Sequence, residues 1–588
     1  MKDSYFKPDK FFKITLTSYF MIFLILISIS QLAGEDDLFW YLSTGRYIVQ
    51  NGAVPSSDVF GFTTSGMLWI PFEWGWDIVN YLLFMYGGYI AIGILSTLLI
   101  LLIFLLLYRM FSNFNVNFII SLIVLVLLSF GMLPRLTIKP HLITYLSFAA
   151  VLAVIVRYRY FNRDNQKILY ILPLIFFLWI NMHMGVIAGM LILGIYMFSE
   201  ITGSVFKNRS SAGSIKPLDK KQLTKLILII ILSILVTLIN PHGFKTYEYA
   251  FHVMSLNQLD IINEWISPFS HVYFLKSYNL IYYLFIMGLI PVFYYSYKKQ
   301  DWFPVLLSAG FFLYSVRANR LTVDFMIVTA LFLAISIDFI IKKYNNTRLF
   351  SLTLNNNVIK VVFSVLLLFL IISTLNSNIY KWSGYERKFG FGIDVNNFPL
   401  GMYKFLKENK ITEIGSRPFN TYETGGYFVW NFPGRKNFIG SRSIDDKVWN
   451  DYLSIINIQP GFEDRIDSLN FDYFIWMVPL VNYSQAPSLL DFGILSYLFR
   501  QTDKWRLVYW DDKSFLFLKN TPLFDEVVMR NEYRFVNPYN FFFRKGIIEK
   551  GITEEKETIL RELSRKQKED PNGIFQKTIR KEYENRLE

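Results

Sequence analysis

Three consecutive carboxylates, Glu35, Asp36 and Asp37, follow the first apolar stretch of the chain directly. Ionisable side chains at the edge of a bilayer are costly unless they face a cavity or one another, so they are candidates for function. A carboxylate can take a proton from a nucleophile or hold a hard cation. The alternative interpretation of the same three residues is the solvated start of a loop.

Other acids, bases and histidines stand where later apolar stretches begin or end. They are Glu73 and Asp77, Arg135, Lys139 and His141, Asn181 and His183, Asn240 and His242, Glu264, and Arg317, Asn319, Arg320 and Asp324. The topology given below places them all at one face of the membrane, so we predict one shared pocket. Arginine and lysine there would hold a phosphate or pyrophosphate, and histidine would relay protons or bind phosphate.

Each of these candidates has a plainer interpretation. Arg135, Lys139, Arg317 and Arg320 could be anchors that extend to lipid headgroups. His183 and His242 could be hydrogen-bonded structural groups at helix ends. Two sets of residues could bind a metal ion. One is the acidic trio alone, and the other is His183 with His242 and carboxylates. No HExxH motif is present, so the metal stays undetermined and a divalent cation remains an open option.

The composition identifies a membrane protein. Of the 588 residues 53% are hydrophobic and 18% are aromatic, and long stretches such as 90–107 and 361–372 carry almost no charge. The absence of cysteine excludes disulfides, thiolate nucleophiles and cysteine-ligated zinc. The net charge is +13. In a membrane protein such charge belongs to the loops beside the lipid, so we expect a membrane and no nucleic acid as the partner.

The lysines and arginines of the short loops predict the topology. A transmembrane helix needs roughly 20 residues to cross a bilayer. An alternating series of about eleven such spans puts all of these basic loops in the cytoplasm. They begin near Ile14, Tyr89, Asn117, Leu142, Ile168, Val186, Leu226, Leu280, Phe303, Leu321 and Val358. The N-terminus is then cytoplasmic, and the region after Thr374 is extracytoplasmic. No small-x-small cleavage site follows the first stretch, so we expect a retained span in the inner (plasma) membrane.

The predicted fold class is a polytopic α-helical membrane protein with a C-terminal extracytoplasmic α/β domain. Residues 1–383 form the transmembrane domain, including outer loops 34–76 and 241–279. Residues 384–548 form the α/β domain, whose short aromatic runs predict strands at Tyr427–Trp430, Tyr473–Trp476, Leu507–Trp510 and Phe515–Leu518, with a helix at Leu400–Glu408. Residues 549–588 predict a charged, solvated helical tail broken at Pro571-Asn572-Gly573.

One family resemblance is carried by the stretch EDDLFWYLSTGRYIVQNGAVPSSDVFGFTTSGMLWIPFEW. It resembles the first outer loop of a group of bacterial multispan proteins, in which an acid and two aromatics precede a short helix that ends in Gly-Arg. The matching residues here are Asp37, Phe39, Trp40, Gly45, Arg46, Val54, Pro55, Asp58, Phe60, Phe62, Thr63, Gly66, Trp69, Glu73 and Trp74. Further matches are RLTIKPHLITY, WINMHMGVIAG, INPHGF, NEWISP and RPFNTYETGGYFVWNFPGRKNFIGSRS, which extend the resemblance to about Leu518.

That group is similar to the GT-C superfamily of glycosyltransferases, which includes protein O-mannosyltransferases, the lipid A aminoarabinose transferase and the oligosaccharyltransferase catalytic subunit. The resemblance implies an inverting transfer of sugar from a polyprenyl-phosphate or polyprenyl-pyrophosphate carrier to an extracytoplasmic glycan, lipid or protein. It implies Asp37 as base or metal ligand, with Glu35 and Asp36 as neighbours and Glu73 or Glu264 in place of a second acidic motif.

Two other functions are compatible with the sequence. A non-catalytic binding or assembly protein would keep the fold and bind a lipid-linked glycan or a protein partner. A transporter is less favoured, because transporters place polar groups near the bilayer midplane on broken helices, whereas here the polar groups gather at the ends of the spans. On the enzyme hypothesis Arg135, Lys139, Arg317 and Arg320 hold the carrier phosphate.

Overall fold

The structure is a computed structural model. It describes residues 8–31, 37–205, 215–260, 262–273, 276–344, 357–384, 387–442, 445–478 and 485–583. Glu35 and Asp36 therefore lie outside the described residues.

The chain forms two compact units. The first comprises Met1–Leu32 with Pro71–Gly392, and the second comprises Ala33–Ile70 with Ile393–Glu588. The predicted division assigned loop 34–76 to the transmembrane domain, but most of that loop groups with the C-terminal region. The reason is its aromatic content: Phe39 and Trp40 are buried among residues of the C-terminal region.

Helices make up most of the chain up to residue 383. In chain order they are α1 (Pro8–Ser28), α2 (Asp37–Asn51), α3 (Trp74–Asn113), α4 (Phe118–Met132), α5 (His141–Val156), α6 (Ile171–Ile180), α7 (Val186–Val205), α8 (Lys220–Leu235), α9 (Lys245–Met254), α10 (Ser277–Met287), α11 (Leu289–Lys299), α12 (Phe303–Ser315), α13 (Thr322–Tyr344), α14 (Asn357–Leu375) and α15 (Asn378–Ser383). All except α2 lie in the first unit.

The first unit has the helices of a multi-pass membrane protein. In the described part of the chain nine helical segments are long and apolar enough to cross a bilayer, and two shorter apolar ones occupy Gln166–Ile180 and Phe303–Ser315. Together they correspond to the eleven predicted spans. The second differs in its start, because α3 begins at Trp74 rather than near Tyr89. Gly88 interrupts this helix with φ +58° and ψ −149°, a conformation that glycine adopts without the steric cost of a Cβ.

A buried ion network at the end of α5 remote from His141 joins the segment that follows α5 to α7 and to the segment before α12. The guanidinium of Arg159 pairs with Glu200 and, at 2.8 Å, with Asp301. Arg163 reaches Glu200 at 2.5 Å, and the Tyr160 hydroxyl donates to Asp301 at 2.6 Å. Buried charges are tolerated only when paired and hydrogen-bonded, so this network fixes one end of the helical unit.

The second unit is a small α/β domain that carries α2 and loop 52–70. Its further helices are α16 (Leu400–Glu408), α17 (Ile411–Ile414), α18 (Gly425–Asn431), α19 (Asp446–Ile456), α20 (Phe462–Leu469), α21 (Ala486–Leu490), α22 (Gly493–Arg500), α23 (Asp525–Asn531), α24 (Pro538–Phe543), α25 (Lys545–Glu554), α26 (Lys556–Glu569) and α27 (Ile574–Tyr583). The strands are β1 (Pro418–Asn420), β2 (Tyr473–Met477), β3 (Trp505–Trp510) and β4 (Ser514–Lys519).

These strands form one mixed sheet in the order β1-β2-β4-β3, parallel between β1 and β2 and antiparallel elsewhere. Three predicted strands and the helix Leu400–Glu408 are confirmed. The prediction of a strand at Tyr427–Trp430 is wrong, because these residues belong to α18. A short apolar run does not distinguish a strand from a buried helix, and here the run is buried as a helix, with Tyr427 against Phe39 of α2.

The charged tail packs against the rest of the α/β domain instead of forming a separate solvated segment. Ile559, Phe575 and Ile579 are buried in the same hydrophobic core as the sheet. The Glu562 carboxylate accepts backbone N–H groups of residues 534–536 at 2.7–3.1 Å. The predicted break is confirmed, since α26 ends at Glu569 and α27 begins at Ile574. Apolar residues at helical spacing therefore outweigh the overall charge of the segment.

We predict that Phe575→Ala lowers the free energy of unfolding of the C-terminal unit by about 3–5 kcal/mol, the range for truncating a buried phenylalanine. Phe575 is fully buried, whereas its neighbour Ile574 is half exposed. Ile574→Ala is therefore the matched control and should change stability little. Chemical unfolding and limited proteolysis of the purified protein measure both variants, and equal stabilities would contradict the packing of the tail.

Candidate functional site

Two arginines from different helices of the first unit share one carboxylate. Arg135 follows α4 and places Nη1 2.5 Å from Oε2 of Glu264, while Arg320 precedes α13 and places Nη1 3.2 Å from Oε1. The Arg135 side chain is 13% exposed and that of Glu264 is 36% exposed. We call these three residues the arginine cluster. They are far apart in sequence, so only the fold brings them together.

Further polar groups surround the arginine cluster. Lys139 lies close enough for its charge to act on Glu264. Tyr145 lies close enough to Arg135 to interact with its charge, and Asp324 lies within the field of both arginines. The fold thus gathers Lys139, Arg135 and Arg320 around Glu264.

The electrostatics of the cluster favour an ionised Glu264. Burial alone would raise the pKa of Glu264, but the charges of Arg320 and Arg135 outweigh it and hold that pKa well below its usual range. The guanidinium of Arg320 also stacks on Trp265, 4.6 Å from the ring centroid, an attractive cation–π contact. Trp265 thus acts here as a platform for an arginine, which fixes the plane of its guanidinium group.

Two histidines lie beside the arginine cluster. Nδ1 of His183 accepts the backbone N–H of Gly185 at 3.2 Å and lies 2.7 Å from the hydroxyl of Thr144. That hydroxyl accepts the indole N–H of Trp179 at 2.8 Å, so its own proton is directed to His183. Nδ1 is thereby an acceptor, and the neutral ring carries its proton on Nε2. His141 lies at the start of α5, and its Nε2 bonds the carbonyl of Arg135 at 2.6 Å.

The asparagines of the two Asn-x-His motifs shape the turns. The Asn181 side chain donates to the carbonyl of Ile239 at 3.0 Å and accepts the indole N–H of Trp74 at 3.2 Å, which ties three helix ends together. The Asn240 side chain accepts the backbone N–H of His242 at 3.0 Å and spans the turn to Gly243. Both asparagines therefore act as structural residues of the motifs.

Asp37 belongs to the second unit. It is the first residue of α2, where a carboxylate is favoured by the helix dipole. Its Oδ1 accepts the hydroxyl of Ser441 at 2.9 Å, and both side chains are partly exposed. No motif or spacing in the sequence singles out Ser441. Its only signal was its place in the matched stretch RKNFIGSRS.

Arg442, the residue after Ser441, forms a buried ion pair with Asp58. Its guanidinium lies 4.1 Å from the ring centroid of Trp40, 5.3 Å from Phe60 and 5.0 Å from Trp69. Burial acts to raise the pKa of Asp58, but Arg442 and hydrogen bonds from the Thr64 hydroxyl and the Phe60 N–H keep it below its usual value. Several residues of the first-loop resemblance are thus packing residues of this contact.

The structure brings some of the predicted site residues together. The arginine cluster, Lys139, His141 and His183 come together in the first unit. Arg317 is exposed, and its charge reaches Tyr314. His242 lies in its turn, and Glu73 precedes α3, where its carbonyl accepts the Asp77 N–H at 2.8 Å. Within the described ranges no three His, Cys, Asp or Glu side chains converge as a metal site.

Comparison with known proteins supports the fold. No protein-family model and no curated protein matches the sequence. The oligosaccharyltransferase of Archaeoglobus fulgidus in its apo form matches with a TM-score of 0.54 at 11% identity, over 88% of this chain and 76% of that one. The archaeal oligosaccharyltransferase AglB from the same organism, in complex with an inhibitory peptide and a dolichol-phosphate, matches with a TM-score of 0.53 at 12% identity, over 87% and 75%.

ArnT from Cupriavidus metallidurans bound to undecaprenyl phosphate is also similar, with a TM-score of 0.47 at 10% identity, over 88% of this chain and 99% of that one. The two oligosaccharyltransferase matches show that this chain has the GT-C fold. The fold that the sequence resemblance implied is confirmed.

We predict that acidification destabilises the first unit through His183. Burial, with the charges of Arg320 and Arg135, lowers the pKa of His183 to about 3, below the roughly 6.5 of an unfolded histidine. The folded state then binds fewer protons, so this contribution is present above about pH 6.5 and is lost as the pH falls toward 3. His183→Gln does not titrate and should show a smaller fall in Tm between pH 7 and pH 5.

The control is His271→Gln, because His271 is exposed. The fall in Tm of this variant between pH 7 and pH 5 should equal that of the wild type. Equal falls in Tm for the wild type and His183→Gln would show that His183 does not carry the acid sensitivity.

Proposed function

We propose that this protein is a glycosyltransferase of the GT-C type. It takes a sugar from a polyprenyl-phosphate or polyprenyl-pyrophosphate carrier and transfers it, with inversion, to an extracytoplasmic glycan, lipid or protein. Its site of action is the outer face of the inner (plasma) membrane, the side on which the loop charges place the arginine cluster and the C-terminal unit. The fold supports this class of function without specifying the donor or the acceptor.

The arginine cluster is the observation that carries the proposal. Two guanidinium groups beside one carboxylate, with Lys139 close by, supply hydrogen-bond donors and positive charge for a phosphate. Donors preorganised where negative charge develops lower the barrier to departure of a phosphate leaving group. The dolichol-phosphate bound by the structurally similar AglB is a ligand of this chemical class.

The role of each residue follows from its chemistry. Arg135, Arg320 and Lys139 hold the carrier phosphate, and Glu264 orients the two arginines. Asp37 takes the proton of the acceptor nucleophile as the nucleophile bonds to the sugar and the bond between the sugar and the carrier phosphate breaks. Neutral His183 presents a ring N–H as a further hydrogen-bond donor.

A second candidate function is non-catalytic binding of a lipid-linked glycan or protein partner. It is favoured by one observation: Glu264 and Asp58 are both engaged in ion pairs, which suits a structural role for these carboxylates. On this hypothesis the arginine cluster still binds the carrier, but no transfer follows. Binding and transfer must therefore be measured separately.

Removing a cluster arginine should weaken binding of the carrier. We expect Arg135→Gln and Arg320→Gln each to raise the Kd for undecaprenyl phosphate by about tenfold or more, because a hydrogen bond to a charged group contributes about 1.5–3 kcal/mol. The matched control is Arg530→Gln on the exposed surface of α23. Native mass spectrometry of the purified protein with undecaprenyl phosphate measures the change, and unchanged binding would exclude the cluster as the phosphate site.

Asp37→Asn should abolish transfer while leaving carrier binding intact, since the amide keeps the shape of the side chain but cannot accept the proton. The assay supplies purified protein with radiolabelled polyprenyl-phosphate sugars and membrane extract as the source of acceptors. Transfer that survives in Asp37→Asn would remove Asp37 as the base. Carrier binding without any transfer by the wild type would favour the non-catalytic function.

A further inference from the structure

We infer that Ser441 of the C-terminal unit is a positioning residue for Asp37, the proposed base in the same unit. The inference rests on the proposed function. Its basis is the hydrogen bond from the Ser441 hydroxyl to Oδ1 of Asp37 at 2.9 Å, between residues 404 positions apart in the chain.

The segment that carries Ser441, residues 437–442, is held along its length. Asn437 pairs with the first-loop backbone through its N–H to the carbonyl of Phe60 at 2.9 Å and its carbonyl to the N–H of Phe62 at 3.0 Å. The Thr63 hydroxyl donates to the carbonyl of Phe438 at 2.9 Å. The loop 52–70, which follows the helix that Asp37 begins, is therefore joined by backbone hydrogen bonds to the segment 437–442, which contains Ser441.

The sheet fixes the same segment from its other side. The side chain of Asn420, the last residue of β1, accepts the N–H of Phe438 at 2.8 Å and donates to the carbonyl of Ile439 at 2.8 Å. Asn420 is fully buried. Asn420 therefore fixes Phe438 and Ile439, which lie three and two residues before Ser441 in the chain. The position of Ser441 is in this way set by the fold.

The residues on either side of Ser441 leave it little freedom. Gly440 lies against the indole of Trp40, where an added Cβ would overlap the ring. Arg442 is enclosed by three aromatic rings and paired with buried Asp58. A buried guanidinium without a counter-charge would cost several kcal/mol of stability. The ion pair with Asp58 therefore keeps Arg442, and with it the adjacent Ser441, in place.

A fixed hydroxyl on Oδ1 sets the plane of the Asp37 carboxylate and hence the direction of its other oxygen. A general base must meet the proton it abstracts within hydrogen-bond distance and in the right orientation, and small misplacements reduce the rate of the chemical step strongly. Ser441 does not touch the reacting atoms on this account. It acts through Asp37, so its loss should reduce kcat rather than substrate binding.

The test uses the full-length purified protein and the radiolabelled polyprenyl-phosphate sugars of the transfer assay. Ser441→Ala should lower kcat by about tenfold with KM for the lipid-linked donor unchanged, the pattern of an effect confined to the transition state. Ser441→Thr keeps the hydroxyl and should restore kcat to within about twofold. Ser468→Ala, which removes an exposed hydroxyl of the same unit, should behave as the wild type.

Carrier binding and thermal stability separate positioning from a structural role. Ser441→Ala should leave the Kd for undecaprenyl phosphate and the Tm unchanged, because a residue that acts only through the proposed base does not touch the carrier. Wild-type kcat in Ser441→Ala, or failure of Ser441→Thr to restore it, overturns the inference. A lowered Tm with raised KM in Ser441→Ala assigns the bond to folding and also overturns it.

Failure of the proposed function gives a different result. A wild-type protein that transfers no sugar from any of the carriers contradicts the glycosyltransferase proposal itself, and the catalytic purpose of the bond fails with it. Wild-type transfer that is unaffected by Ser441→Ala contradicts only the role of Ser441.

Discussion

An ionised side chain removed from water costs several kcal/mol unless an opposite charge or hydrogen bonds compensate it, and this constraint organises both units of the protein. In the first unit it draws Glu264 to Arg135 and Arg320, and it closes the network of Arg159 with Glu200 and Asp301 at the far end of α5. In the second unit it holds Arg442 on Asp58.

The charged groups at the two ends of α5 differ in exposure. The network around Arg159 matches two arginines with two carboxylates and adds a tyrosine hydroxyl, so its charges are satisfied internally. Its carboxylates, Glu200 and Asp301, are buried. At the other end Glu264 accepts two guanidinium groups and is 36% exposed. Charged groups that are partly exposed are accessible to an external anion, and this accessibility supports the proposed phosphate site.

The motif of the first loop serves packing in the second unit. Arg46 of the Gly-Arg pair donates to the carbonyls of Val429 and Trp430 at the end of α18, and Asp58 pairs with Arg442. These contacts bind the first loop to the C-terminal region. The same segment brings Ser441 within hydrogen-bond distance of Asp37, the proposed base.

The sequence by itself determined the membrane class, the number of spans, three of the four strands and the types of residue at the helix ends, because hydrophobic length and period are local properties of the chain. It could not determine that loop 34–76 packs mainly with the C-terminal region, that Tyr427–Trp430 is helical or that the tail is buried, since these depend on which surfaces meet. It proposed one pocket for all polar residues. Only the tertiary structure decided that Glu264 joins Arg135 and Arg320 while Asp37 meets Ser441, because hydrogen bonds and ion pairs between distant residues form only where the fold brings their atoms within about 3 Å.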